Sequence, residues 1–332
     1  MRDDHYVAKT YLKHFAGPSG MLHAFRKSDG RSFPCRPKDI CREPDGDIIP
    51  DFLSEPGYLG EYRSAFEPAW NHAVAALNTR SPDMRDKLNI AGYWANLLVC
   101  TPTWKRVAVE SSNQRVLHTV RAHNVLSAEI GKPDQKVKDA IEAAERGEIK
   151  IETEGDYVRA QSARSVVKYA WGLYNADWDV FENDTGTEYI TSDNPASFED
   201  LGETWALGNP FIRYLPVTPR LCLMCDLTRN SNLIRETEPD FEQEPKGTIR
   251  GGSVRLETVE RINICTAKCA EDMVLSSGQS QYARDLAAKY SRFRVENESA
   301  QFRRGKGFII ANRIRAIERK DKEDQATKAD RL

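Results

Sequence analysis

The stretch YITSDNP, residues 189–195, is a short apolar run that leads directly into four residues typical of turns. It predicts a strand that ends in a turn at the edge of a sheet. A second informative stretch is HYVAKTYLKHF, residues 5–15, in which Tyr6, Leu12 and Phe15 are apolar and lysines lie between them. This pattern predicts a short N-terminal helix. The chain therefore combines both kinds of element.

Apolar spacing predicts more helices than strands. The clearest stripe of apolar residues at steps of three and four consists of Tyr62, Phe66, Trp70, Val74 and Leu77. Such a stripe is typical of one helix face packed on a core. Further helices are predicted after residue 83 and over residues 103–128, 134–147, 162–175, 258–270 and 279–290. Strands are predicted over residues 21–26, 32–35, 178–181, 188–191, 213–217 and 220–226.

These elements predict an α+β fold, in which a helical lobe packs on a small, mostly antiparallel sheet. The strands at 178–181 and 188–191 are expected to pair with each other across a turn. Residues 1–319 are expected to form a single large domain, and residues 320–332 a charged, flexible tail. The polar residues 228–252 are interpreted as a flexible insertion.

Composition and charge are those of an ordinary soluble protein. Of the 332 residues, 40% are hydrophobic and 30% are charged, and the formal net charge is −2. This charge gives no overall attraction to nucleic acid or to an anionic membrane, although cations can still concentrate on one face. The opening residues MRDDH lack the apolar core of an export signal, and no apolar run is long enough for a membrane span. The seven cysteines are therefore predicted to be free thiols of a cytoplasmic protein.

Asp193 and Asn194 are the first candidates for a functional site. At the end of a strand they would present a carboxylate and a carboxamide at a sheet edge, where sites are commonly assembled. The alternative is structural, because Asp and Asn side chains also form turns with the backbone before a proline such as Pro195. The spacing alone leaves both interpretations open.

His5, Tyr6 and Glu67 are further candidates. A histidine titrates near neutral pH and can act as an acid, a base or an anion-binding group. The alternative for His5 is a solvated side chain near a chain terminus. Glu67 follows Phe66 at the border of the apolar stripe, where partial burial would raise the pKa of its carboxyl. The alternative for Glu67 is an exposed position on the helix.

Basic and aromatic residues form two stretches that could bind phosphate. Trp104 offers an indole that can stack on a base, and Lys105 and Arg106 offer two cations beside it. The second stretch, residues 292–304, is the most basic and aromatic part of the chain and includes Arg303 and Arg304. Alternatively, Arg106 pairs with a carboxylate on a helix, and residues 292–304 form a solvated surface whose glutamates dilute the charge.

Neither a metal site nor an organic cofactor is predicted. Cys222 and Cys225 have knuckle-like spacing, but they lie in an apolar strand whose alternation directs them to opposite faces. Cys265 and Cys269 are four residues apart on a predicted helix, and no histidine follows them. The chain also lacks the GxxxxGK[ST], GxSxG and HExxH motifs.

The N-terminal stretch and the YITSDNP stretch together resemble a microbial family, domain of unknown function family 4238. Its members typically open HYVPQFYLKNF and later carry an ITSDNP-like strand end, and this chain has Ala8 in place of the usual proline. Glu67 and Arg106 also resemble family positions. The resemblance implies a protein of antiviral defence and, most specifically, excision of modified bases from phage DNA.

A DNA glycosylase that acts on modified phage duplex DNA is therefore the first functional hypothesis. Asp193 would stabilise the oxocarbenium-like sugar or activate a water molecule, and Asn194 would read the flipped base. Tyr6 or Trp104 would stack on that base, and His5 would protonate it as it leaves or hold the phosphate beside it.

Two other functions fit the same residues. The first is a metal-dependent nuclease with Glu67 and Asp193 as metal ligands, which a chelator would inactivate. The second is a non-catalytic sensor that binds a nucleotide or a phage component and releases no product.

Overall fold

A computed structural model of the chain describes residues 3–50, 52–79, 81–131, 134–200, 212–227 and 238–319. The α-helices in these ranges are α1 (Lys9–Lys13), α2 (Tyr58–Phe66), α3 (Trp70–Asn78), α4 (Met84–Cys100), α5 (Pro102–Glu129), α6 (Gln135–Glu145), α7 (Gly155–Tyr174), α8 (Leu256–Cys269) and α9 (Gln281–Lys289). The strands are β1 (Asp3–His5), β2 (Leu22–Arg26), β3 (Ser32–Cys35), β4 (Arg42–Pro44), β5 (Asp177–Glu182), β6 (Thr191–Ser192), β7 (Ser197–Phe198), β8 (Ile212–Thr218), β9 (Leu221–Asp226), β10 (Ile249–Ser253), β11 (Met273–Ser276), β12 (Phe293–Arg304) and β13 (Gly307–Glu318).

The described strands form small sheets in which almost all pairs are antiparallel. One sheet has five strands in the order β10-β5-β9-β8-β7, and its β10–β5 pair is parallel. Another has four strands in the order β3-β2-β11-β6. Two further pairs, β1–β4 and β12–β13, are antiparallel ribbons. The predicted α+β class is confirmed, with the strands distributed over several sheets.

Helix α4 is the centre of the helical part, because neighbours cover it on almost every side. Asp83 begins it with a capping box: its side chain accepts a hydrogen bond from the N–H of Asp86, whose carboxylate accepts one from the N–H of Asp83. Ile90 and Trp94 are fully buried in the main core. A helix that is apolar all round must be enclosed, and α2, α3, α5 and α7 pack against α4. No helix in the described ranges is long and apolar enough to cross a membrane.

One predicted strand pairing is wrong. The strand predicted over residues 178–181 corresponds to β5, which pairs with β9 and β10. Residues 191 and 192 form β6, which pairs with β11 near residue 274. The short connection between the two predicted strands favoured a hairpin. In the structure, each strand instead pairs with strands that lie much further along the chain.

Two other segments differ from the sequence expectations. The last residues of the predicted insertion, 249–252, belong to β10 at the edge of the five-stranded sheet, while residues 228–237 lie outside the described residues. Residues 293–304 form the first strand of the long β12–β13 hairpin, where no strand was predicted. The predicted tail, residues 320–332, also lies outside the described residues.

Candidate functional site

Asp193 directly follows β6, and its carboxylate binds the connection between α8 and β11. Oδ1 accepts a hydrogen bond from the backbone N–H of Glu271 at 2.9 Å. Oδ2 accepts from the backbone N–H groups of Asp272 at 2.8 Å and Met273 at 2.9 Å. Burial raises the pKa of Asp193 to about 6, although the N–H groups of Asp272 and Met273 lower it. The carboxylate therefore holds this connection in place.

Asn194 is fully buried and joins two helices to β6. Its Nδ2 donates to the carbonyl of Cys269 at 2.8 Å, and its Oδ1 accepts from Thr101 Oγ1 at 3.4 Å. Its backbone N–H donates to Ser192 Oγ at 3.1 Å, which closes the turn. Asp193 and Asn194 thus make contacts expected of a turn-building pair, and their catalytic roles stay predictions.

The strand β1 fixes His5 beside β4. His5 pairs with Arg42, and its carbonyl accepts a hydrogen bond from the guanidinium of Arg63. The imidazole Nε2 is buried and has no hydrogen-bond partner. Burial, followed by the charges of Arg42 and Arg63, lowers the pKa of His5. At neutral pH, only a minor fraction of His5 is therefore protonated, and only this fraction could donate a proton to a leaving base.

Tyr6 connects the N-terminus with the surroundings of Asp193. The tyrosine is 8% exposed, and burial is the main cause that raises the pKa of its phenol. Cys41 and Asp193 raise that pKa further, an effect that requires them to lie near Tyr6. Of the predicted catalytic and stacking groups, Tyr6 and Asp193 are therefore brought together.

Glu67 and Lys105 lie beside the same β1–β4 pair but bind different partners. Glu67 accepts a hydrogen bond from Thr10 Oγ1 at 2.9 Å and lies 3.9 Å from the Nε of Arg63, which also binds the N-terminal strand. Lys105 forms an ion pair with Glu43 of β4. Both charges therefore stabilise the packing of the N-terminal ribbon on the helices.

Arg106 ties α5 to the β12–β13 hairpin. Its guanidinium donates to both carboxylate oxygens of Glu271 at 3.0 and 2.9 Å, and to Glu110 at 2.9 Å. It also donates to the carbonyl of Val295 at 2.7 Å. These contacts are those of the structural alternative, and a phosphate-binding role for Arg106 stays a prediction.

Arg303 and Arg304 lie at the far end of the hairpin. Arg303 pairs with Glu129 at the end of α5, and Arg304 is exposed next to the hairpin turn. Glu129 lies about 38 Å along α5 from Trp104, at 1.5 Å per residue. The structure does not gather Lys105, Arg106 and residues 303–304 into one basic face.

Within the described residues, no group of three or more His, Cys, Asp and Glu side chains could hold a metal ion. Glu67 and Asp193, the metal ligands of the nuclease hypothesis, have the separate partners described above. All seven cysteines are free thiols, as predicted.

A cleft of about 660 Å³ lies between α5, α7 and the β12–β13 hairpin. This volume is of the order found for small-molecule sites, roughly 300–1,000 Å³. The residues that line it include Trp104, Ser111, Ser162, Tyr169, Asn297 and Asn312. None of the described residues that line it is Asp or Glu. The described lining therefore offers hydroxyl, amide, aromatic and aliphatic groups and the guanidinium of Arg115, and no acidic group.

Three hydrogen-bonding groups of the cleft residues are buried and have no partner in the described part of the chain: Trp104 Nε1, Thr153 Oγ1 and Asn312 Oδ1. The first is a donor, the last is an acceptor, and the threonine hydroxyl can be either. Buried polar groups are almost always paired in folded proteins. Three such groups belong to residues of this one cleft, although unpartnered groups also occur elsewhere in the described structure, for example on Trp70 and Trp94.

Trp104 is the predicted site residue that lines this cleft, and the other lining residues were missed. One sequence pattern could have indicated them, namely polar residues at helical spacing on α5 and α7. Ser111 lies seven residues after Trp104, and Ser162 and Ser165 lie three apart, so each pair shares one face of its helix. Asn312 gave no signal, because the hairpin that carries it was not predicted.

Comparison with known proteins identifies the family but no individual relative. The model of the family described as protein of unknown function (DUF4238) matches residues 4–280. The chain belongs to this family, as its N-terminal stretch and YITSDNP stretch indicated. No curated protein and no solved structure matches the chain.

Proposed function

We propose that this protein recognises a base of nucleic acid in the cleft between α5, α7 and the β12–β13 hairpin. The observation that carries the proposal is the set of unpartnered groups on Trp104, Thr153 and Asn312. Each buried polar group left unpaired destabilises a folded protein by about 1–3 kcal/mol. The edge of a base carries donors and acceptors that would pair with these buried groups when the cleft wall moves enough to expose them.

The remaining lining favours a planar, polar ligand. Trp104, Tyr157 and Tyr169 supply aromatic rings, and every nucleobase has a face that can pack against such rings. The serine hydroxyls and the two asparagines supply further uncharged donors and acceptors. A base that is flipped out of a duplex, or a free nucleotide, combines these two requirements.

Base excision from phage-modified DNA, the activity that the family resemblance implies, extends the same proposal. That reaction needs a group that stabilises positive charge on the sugar or activates water. Asp193 is the candidate for this role because it lies near one end of the cleft. Its neighbour Asn194 contacts Thr101, which precedes Trp104 by three residues. Because no carboxylate lines the described part of the cleft, the cleft itself supports recognition more directly than catalysis.

The decisive experiment separates recognition from excision. The protein is incubated with unmodified duplex DNA and with phage-modified duplex DNA, with and without EDTA, and the DNA is then heated in alkali. Breaks that appear only after alkali indicate abasic sites and a glycosylase. Direct breaks that EDTA prevents indicate a nuclease, and binding without breaks indicates a sensor. Absence of binding to both DNAs and to all deoxynucleosides would contradict the proposal.

Replacement of Thr153 by valine tests the cleft itself. Thr153→Val removes one unpartnered hydroxyl at almost constant volume, so we expect base affinity to fall by about 1–2 kcal/mol while stability is unchanged or higher. Isothermal titration with deoxynucleosides and urea unfolding measure the two quantities.

Thr258→Val is the matched control, because Thr258 lies on α8 away from the lining residues. This control should leave base affinity unchanged. Equal affinities of wild type and Thr153→Val would remove Thr153 from the site. A large loss of stability in Thr153→Val would show that its hydroxyl serves the fold.

A further inference from the structure

Arg213 on β8 is a buried cation whose Nη1 has no hydrogen-bond partner among the described residues. The residue is 2% exposed, and its guanidinium carbon lies 5.1 Å from the centre of the Trp104 ring. Tyr169 also acts electrostatically on Arg213. Since Trp104 and Tyr169 both line the cleft, Arg213 lies directly behind the cleft wall.

Among the described residues, no carboxylate acts on Arg213. Besides Tyr169, the ionisable groups that act on it are the thiols of Cys225 and Cys269. Burial raises the pKa of Cys225 to about 12 and that of Cys269 to about 11, so both thiols are neutral at pH 7. Burial lowers the pKa of Arg213 to about 10, which still leaves it positive at pH 7. A buried, unpaired cation is unfavourable unless an anion approaches it.

A second guanidinium, that of Arg115, belongs to the exposed end of the same cleft. Arg115 lies about 16 Å beyond Trp104 along the axis of α5, at 1.5 Å per residue. Helical side chains lean toward the helix N-terminus, so an extended arginine shortens this gap toward Trp104.

We infer that the cleft binds an anionic ligand, a nucleoside phosphate whose base lies at the Trp104 end and whose phosphate group contacts Arg115. This inference rests on the proposed function and adds the charged part of the ligand. Two guanidinium groups, with no carboxylate among the described lining residues, favour an anion in the cleft. Arginine binds phosphate through paired, charge-assisted hydrogen bonds. Arg213 does not touch the ligand but attracts its negative charge from the opposite side of the Trp104 ring.

The test is titration calorimetry with the four deoxynucleosides, their 5′-monophosphates and inorganic phosphate. We expect at least one monophosphate to bind about 10- to 100-fold more tightly than its nucleoside, the gain typical of a hydrogen bond to a charged group. In Arg115→Gln this ratio should fall to about one, while nucleoside affinity is retained. Arg85→Gln, which neutralises an exposed arginine on α4, is the matched control and should keep the ratio.

The outcomes separate this inference from the proposed function. If wild type binds nucleosides and monophosphates equally, or if Arg115→Gln keeps the ratio, the inference is wrong and base recognition still stands. If inorganic phosphate binds as tightly as the monophosphates, the ligand is a simple anion and the inference is also wrong. If no nucleoside, nucleotide or DNA binds, both proposals fail.

Discussion

At the scale of single residues, Asp193 illustrates how a polar side chain can define a turn. Its two oxygens accept three backbone hydrogen bonds from residues 271–273, just before β11 begins to pair with β6. The same carboxylate lies in the surroundings of Tyr6. One buried carboxylate therefore connects a sheet edge with the end of α8 and acts electrostatically on Tyr6 of the N-terminal segment.

Replacement of Asp193 by asparagine should destabilise the protein. Its carboxamide can accept from Asp272 and Met273, but its N–H₂ group would then face the N–H of Glu271, leaving a buried donor unpaired. We expect the free energy of unfolding to fall by about 1–3 kcal/mol, as measured by urea unfolding.

Asp285→Asn is the control for this measurement, because Asp285 is exposed on α9 and accepts a hydrogen bond from Gln281 only one turn away. It should change stability little. If Asp193→Asn were as stable as wild type but had lost base excision, the carboxylate would belong to the chemistry rather than to the turn.

At the scale of elements, the β12–β13 hairpin depends on α5 for its position. Arg106 forms the central contact, because it binds Glu271, Glu110 and the carbonyl of Val295 at once. The hairpin begins at Phe293, after the end of the family match at residue 280. One wall of the cleft therefore lies outside the part of the chain that the family model matches.

Arg106→Gln should loosen the hairpin without changing any dependence of DNA binding on salt. The substitution removes a partly buried ionic network, so we expect faster amide hydrogen exchange in β12 near Val295 and unchanged exchange in the β5–β9 pair. If Arg106 instead contacted phosphate, its loss would reduce the log–log salt slope by about 0.9. Arg85→Gln serves as the charge-matched control, and an Arg106→Gln variant with normal exchange but a smaller slope would contradict this interpretation.

At the scale of the whole molecule, the cleft is assembled from three distant segments. They are the first half of α5, residues 153–169 and the middle of the hairpin near residues 297 and 314. The N-terminal ribbon with His5, and Glu67 after α2, contribute no described lining residue. Ligand binding should therefore act on these three segments together.

Saturation with the best-binding monophosphate should slow amide exchange in all three segments at once, because the ligand bridges them. At a ligand concentration 100 times Kd, the bound protein should also be stabilised by about 2.7 kcal/mol. Hydrogen exchange with mass spectrometry measures the first effect and thermal unfolding the second. Protection confined to the β1–β4 ribbon would instead place the ligand beside His5 and Glu67.

The sequence by itself determined the kinds of element and the family. Helical stripes such as that of Trp70 and Val74, and the strand that ends at Ser192, depend on local spacing and turn chemistry, which short segments carry within themselves. The two motif stretches were sufficient to identify the family, and Trp104 was recognised as a base-stacking candidate because of its basic neighbours.

Only the tertiary structure decided what each polar group binds. Asp193 reaches residues 271–273, Arg106 reaches Val295, and Arg213 is buried behind Trp104. Hydrogen-bond partners and burial depend on contacts between segments that lie many residues apart, and local patterns contain no information about them. For the same physical reason, the cleft and its unpartnered groups emerged only when α5, α7 and the hairpin were packed together.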